Sequence, residues 1–197
     1  MKKTLLSVLA LVLAGCSSLP GPAQPAIYYV LSDPGPAVHA DHSHPGVLLL
    51  REMDASPFYQ SPGLAYSRVP GTRAHYQFAD WAELPAKRLT WLLRQRLETA
   101  GVFATVAPLA GGVIGDYQLN TRLIDFYHDA STRPGTVFLI VEAELVKRSE
   151  GRLLARQVFI VQKPVATYDA EGAANAMDLA ANAVIDEITV WLTQANG

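Results

Sequence analysis

Between Tyr117 and Lys163 the chain holds three long strand-type runs with only short breaks between them, and this limits the fold more than any other feature. Tyr117 to Phe126 alternates, with Tyr117, Leu119, Thr121 and Leu123 on one face. His128 to Gly135 reads as a loop, Thr136 to Arg148 as the second strand, and Leu153 to Lys163, stopped by Pro164, as the third. Strands joined this closely pair antiparallel, because a parallel return needs a connection of about a dozen residues or more. An antiparallel meander is expected. Its tightest turn, Ser149-Glu150-Gly151, suits a three-residue loop closed by a glycine bulge. That register sets Arg148 opposite Arg152, Glu144 opposite Arg156 and Glu142 opposite Val158. Glu142 and Glu144 share a face and have the look of an acid/base pair. A cross-strand salt bridge to Arg156 accounts for one of them without chemistry, and this structural reading is adopted.

Ile27-Tyr28-Tyr29-Val30-Leu31 is a β-branched and aromatic strand stopped by Ser32-Asp33-Pro34-Gly35-Pro36. Val47 to Leu50 is unbroken apolar sequence, suited to a strand covered on both faces. After a loop with Pro57 and Pro62-Gly63, Leu64 to Val69 and His75 to Phe78 alternate about Pro70-Gly71, which predicts a hairpin. Asp80-Trp81-Ala82-Glu83 has the composition of a capping box, but Pro85 belongs in a first helical turn. The regular helix is therefore placed from Pro85 to Ala100, with Trp81–Leu84 as a preceding turn and Gly101 as the stop. Leu89, Leu92, Leu93, Leu97 and Ala100 form its apolar stripe, while Lys87, Trp91, Arg94 and Glu98 lie on another face. Trp91 and Arg94 are a candidate partner contact, set against the plainer reading of a tryptophan folded onto neighbouring stems. Val102 to Val106 is the next strand. A last helix starts near Asp169 and Glu171 and ends near Thr193, with Ala173, Met177, Ala180, Ala181, Val184, Ile188 and Trp191 as its buried stripe.

The start of the chain is of a different kind. Lys2 and Lys3 precede an apolar run from Leu5 to Leu13, then Ala14-Gly15 and Cys16. This is the build of a secretory signal peptide over residues 1–15, its apolar run too short for a membrane span of about 20 residues. Leu13-Ala14-Gly15-Cys16 resembles a bacterial lipobox, in which the cysteine is lipidated on sulfur, the chain is cut before it, and the new amine is acylated. The alternative is an ordinary secreted protein with a cysteine near the cut. Cys16 is the only cysteine, so no internal disulfide forms. Ser17, where an aspartate usually marks inner-membrane retention, favours the outer membrane, facing the periplasm. Residues 16–26 hold Pro20, Pro22 and Pro25 and read as a tether with a reach on the order of 30 Å. Residues 27–197 are expected to form a single globular domain. The net charge of −2, made more acidic by loss of Lys2 and Lys3, gives no basic excess for nucleic acid. His39, His42 and His44 lie close enough to raise a metal site, but no carboxylate or cysteine set supports one, and solvated loop histidines are the reading taken.

Gly-x-Ser-x-Gly, His-Glu-x-x-His, phosphate-loop and Gly-x-Gly-x-x-Gly motifs are all missing, so no enzyme and no cofactor is assigned. Taken in order, Cys16, Tyr28-Tyr29-Val30-Leu31, the apolar strand at Val47, Phe58-Tyr59-Gln60-Ser61, Leu64-Ala65-Tyr66-Ser67-Arg68 and Asp80-Trp81-Ala82-Glu83-Leu84-Pro85 resemble the ABC-type transport auxiliary lipoprotein family. Tyr29, Leu31, Arg68 and Trp81 are the residues that carry the motif. Asp80, where relatives often have arginine, and the histidine-rich insertion depart from it. The resemblance implies an α/β fold, a three-layer mixed β-sheet with helices packed on both faces; an α+β arrangement with an antiparallel C-terminal meander is the alternative. It also implies a non-enzymatic partner of an ABC transporter and a periplasmic MCE-type protein in intermembrane lipid transport, docking or guiding the latter, with a homo-oligomer suited to the role. The competing readings are a domain that carries lipid itself, a periplasmic hydrolase, and a purely structural envelope lipoprotein.

Overall fold

In the computed structural model of the chain, residues 25–32 and 43–195 are described. Their elements run β1 (Ile27–Tyr29), β2 (His44–Leu50), β3 (Asp54–Ala55), β4 (Gly63–Ser67), β5 (Ala74–Trp81), α1 (Pro85–Ala100), β6 (Phe103–Pro108), β7 (Tyr117–Asp129), β8 (Thr136–Lys147), β9 (Arg152–Pro164) and α2 (Ala170–Gln194). Short 3-10 turns lie at Pro57–Gln60 and Leu109–Gly111.

The expected meander is present and β7 is its spine. One edge of β7 pairs antiparallel with β8 from Tyr117↔Lys147 to Asp129↔Thr136, and β8 pairs antiparallel with β9. Its other edge is shared by three short parallel partners. β2 pairs from Leu48↔Tyr117 to Leu50↔Leu119, β3 at Asp54↔Arg122 and Ala55↔Leu123, and β4 at Tyr66↔His128 and Ser67↔Asp129. A strand of 13 residues spans about 44 Å at a rise of ~3.4 Å per residue, more than any one of these partners covers. Two wings therefore hang from its ends: β2 with β6, and β4 with β5 and β1. The β4–β5 pair is antiparallel, the predicted hairpin.

Two local expectations change. The β8–β9 connection is one residue longer than predicted: Arg148 joins the loop, Lys147 faces Arg152, and Gly151 closes it at a φ of 60°. A register shift between Leu145 and Val146 compensates, because Val146 faces Leu153 and Leu145 faces Ala155. Glu144 still meets Arg156, and Glu142 meets Val158, as expected. β7 also continues through His128 and Asp129, residues read as loop.

α1 starts at Pro85 behind an uncapped Leu84 and ends at Gly101, whose φ of 65° a residue with a Cβ adopts only with strain. No capping box forms, since Asp80 and Trp81 stay in β5, paired with Tyr28 and Tyr29. α2 is capped by Asp169, whose carboxylate accepts from the Gly172 amide at 2.7 Å. Both predicted stripes are buried apart from Trp191, which meets Phe159 edge-on at 5.8 Å. The helices pack against each other, α2 over β8 and β9 and α1 over β6, within one hydrophobic core. The mixed sheet holds, but three layers with helices on both faces do not describe the arrangement. The sheet is a curled half-barrel with both helices on one side. The residues of β8 explain this. Val137, Leu139, Val141, Ala143 and Leu145 are fully buried, whereas the opposite face carries Glu142 and Glu144 beside Arg156. A helix laid over that second face would strip water from charged groups.

Candidate functional site

The gap between the two wings is filled only by two-residue β3, and an open cleft of about 640 Å³ lies there. Several contacts hold its walls. The Arg51 amide donates to the Leu119 carbonyl at 3.0 Å as the chain leaves β2. The Met53 amide donates to Thr90 Oγ1 on α1 at 2.9 Å, and Thr90 donates to the Ala86 carbonyl at 2.8 Å. The Tyr59 hydroxyl donates to Asp125 at 2.6 Å, and Arg73 donates to the same carboxylate at 2.9 Å. Burial and that carboxylate push the Tyr59 hydroxyl up to about 12. The Gln60 side chain donates to the Ala55 carbonyl at 2.9 Å.

The cleft is charged and evenly balanced. Arg51, Lys87, Arg122 and Arg156 line it with Glu52, Asp54, Glu142 and Glu144. Some of these charges pair between adjacent strands: Arg122 with Asp54 at 3.6 Å, and Arg156 Nε with Glu144 at 2.8 Å and Glu142 at 4.0 Å. The expected Glu144–Arg156 bridge is therefore formed. Arg51 and Lys87 make no ion pair among the described residues. Asn120 accepts from Gln118 at 2.7 Å through its oxygen, which leaves its amide hydrogens free to donate. Thr121, 4 % exposed, lines the same cleft, and its Oγ1 has no hydrogen-bond partner. A lipid carrier would need an apolar cavity, and this cleft is not one.

The residues singled out from sequence fall elsewhere. Cys16, His39 and His42 lie outside the described residues, as does the tether apart from Pro25 and Ala26. His44 packs its ring against Phe103 at 5.3 Å, and among the described residues no group of three or more potential ligands is placed to hold a metal. Trp91 is 40 % exposed, with the Arg88 guanidinium 4.5 Å above its ring, and Arg94 pairs with Glu98 at 3.8 Å. Leu31 and Trp81 are core residues, and Tyr29 packs beside them, partly buried. Trp81 stacks on Phe126 at 5.9 Å, and Arg88 donates to the Leu31 carbonyl at 2.8 Å. Arg68 sits over the Tyr66 ring at 5.0 Å.

Two features went unread in the sequence. Arg51 and Asn120 come to line one cleft only because β2 and β7 become neighbours, and no local pattern signals it. His128 is fully buried: its Nδ1 lies 2.8 Å from the Tyr76 hydroxyl and its Nε2 lies 2.8 Å from the Pro134 carbonyl. The carbonyl fixes Nε2 as the donor, so Nδ1 accepts from Tyr76. Burial holds its pKa below the ordinary histidine value, against the opposing pull of the Pro134 carbonyl and of Asp129 and Asp169.

Solved structures share the fold. Protein XCC0632 from Xanthomonas campestris superposes with a TM-score of 0.75 at 24 % identity, covering 86 % of this chain and 96 % of its own. An uncharacterised protein follows at 0.67 and 14 % identity, covering 85 % and 99 %. Hypothetical protein CT253 from Chlamydia trachomatis follows at 0.55 and 7 % identity, covering 77 % and 98 %. No curated protein matches the chain significantly. A family model described as the ABC-type transport auxiliary lipoprotein component matches residues 29–189, from β1 into the last turns of α2. The chain belongs to that family of ABC-transport auxiliary lipoproteins, which is not a known enzyme family.

Proposed function

We propose that this chain is a non-enzymatic, lipid-anchored adaptor at the periplasmic face of the outer membrane, where it docks or guides an MCE-type component of an ABC-driven intermembrane lipid transport system. Family membership over residues 29–189 is the observation that carries the reading. In it, residues 1–15 are removed as a signal peptide, Cys16 is lipidated, residues 16–26 are the tether, and residues 27–197 are one periplasmic domain. One acyl chain holds a protein to a bilayer only marginally and two or more hold it firmly, which is the use of acylating both sulfur and amine. Among the described residues no helix is long and apolar enough to cross a membrane, and the reading gives attachment to Cys16 alone. Trp91 and Arg94, on the same face of α1 as Lys87, are the proposed contact with the partner, and a homo-oligomer would present several copies of that face.

The test is photo-crosslinking in intact cells with a crosslinker at Trp91 or Arg94. Capture of an MCE-type protein is expected. Capture of none, under conditions that keep such assemblies intact, counts against the reading. Labelling with a fatty-acid probe, lost in Cys16→Ser, tests the anchor separately.

A further inference from the structure

We infer that the cleft between the two wings of the sheet binds a small zwitterion, with an anionic phosphate at Arg51, Lys87 and the start of α1 and an ammonium at Glu142 and Glu144. The phosphoethanolamine group is the chemistry that fits. The inference deepens the transport reading and rests on it for the source of the ligand.

The argument starts from charge balance. The cleft carries four cationic and four anionic side chains. A purely anionic or purely cationic ligand would meet repulsion on one wall, whereas a molecule with both signs meets attraction on each. The unpaired cations fix the anionic pole. Arg51 and Lys87 have no acidic partner among the described residues. α1 begins with Pro85 behind Leu84, without a side-chain cap and without an acidic residue in its first turn. Ala86 and Lys87, in its first turn, line the cleft, so the positive end of the helix dipole lies beside it, which suits a phosphate.

The carboxylates fix the other pole. Glu142 and Glu144 share the one Arg156, and Glu142 does so only at 4.0 Å. One guanidinium for two carboxylates leaves acceptor capacity for an ammonium. Asn120, directly across the strand pair from Glu144, keeps its amide donors free between the poles. Since the walls are charged, acyl chains stay outside, in a bilayer or a partner, and only the headgroup enters.

The experiment uses the full-length protein in detergent, titrated by calorimetry with glycerophosphoethanolamine, inorganic phosphate and ethanolamine in turn. Glycerophosphoethanolamine is expected to bind saturably and at least about tenfold more tightly than either fragment. Lys87→Gln with Arg51→Gln should weaken it by about tenfold or more, through loss of charge-assisted hydrogen bonds. Glu142→Gln should weaken glycerophosphoethanolamine but not phosphate. No saturable binding, phosphate binding equal to that of the zwitterion, or binding indifferent to all these variants would overturn the inference. Nanodiscs of phosphatidylethanolamine against phosphatidylglycerol separate a membrane source from a free one. Preference for the former assigns a lipid headgroup, while equal binding with retained affinity for the soluble compound assigns a free zwitterion. Crosslinking is read at Trp91 and Arg94, which do not line the cleft, in the protein with Lys87 and Arg51 intact, so the two readings fail separately.

Discussion

Trp81→Ala distinguishes a motif residue that builds the fold from one that meets a partner. Trp81 ends β5, where its amide donates to the Pro62 carbonyl at 2.6 Å and the next amide, of Ala82, donates to the Tyr29 carbonyl at 2.7 Å. Its side chain is 3 % exposed and lies parallel to Phe126, with 8° between the ring planes. The substitution leaves those backbone bonds in place and removes an indole from the core beneath α1. Truncations of this kind cost about 3–5 kcal/mol, the spread reflecting how far the site collapses. For a domain of this length each kcal/mol lowers Tm by about 2–4 °C, so the expected fall is roughly 6–20 °C. Thermal and urea unfolding followed by circular dichroism measures it, and an unchanged urea slope would show that the loss lies in stability. Trp81→Phe keeps an aromatic ring against Phe126 and should lose less than half as much. An alanine variant as stable as the parent that no longer captured a partner would refute the reasoning and move Trp81 from the core to an interface.

Acidification should destabilise the domain through His128. Its folded pKa lies below its unfolded value of about 6.5, so its contribution is fully present above that pH and is lost as pH falls toward the folded value, where only the unfolded chain takes up the proton. Urea midpoints between neutral and mildly acidic pH measure the slope, and His128→Gln should flatten it; an unaltered slope in that variant assigns the effect to other groups. Asp169→Ala removes the cap of α2 and should cost about 1 kcal/mol, with Asp169→Ser recovering most of it. Chemical unfolding of the three proteins checks this, and equal midpoints would mean that the cap contributes nothing.

Where side chains report on their own element, the sequence was readable. The odd positions of β8 and the stripes of both helices are buried as their periodicity predicts. The Glu144–Arg156 pair survived a wrong loop length because the shift at Leu145 and Val146 restored the register. What escaped depends on distant partners. Asp54–Ala55 has no strand pattern of its own and is a strand only because β7 leaves an edge free beside it. No local pattern marks Arg96, yet it is buried and bridges to Asp186, ninety residues further on. His128 sits in a polar stretch, and its burial comes from Tyr76 and the Pro134 carbonyl on either side of the ring.

The cleft follows from the same arithmetic of strand length. β8 pairs with β7 along its whole length, with one bulged residue at Ile124, so one edge of β7 closes, whereas the partners on the other edge are too short to meet. The space between them cannot close with apolar side chains. Alternation along β7 places Asn120 and Arg122 on the face that β8 shares through Glu142 and Glu144. Water or a polar ligand must occupy such a gap, because charged groups left dry would cost more than the wings contribute by approaching. A polar recess at this point is thus a consequence of hanging two wings on one long strand. What remains specific to this chain is its choice of charges there, above all Arg51 and Lys87, which no ion pair in the described fold requires.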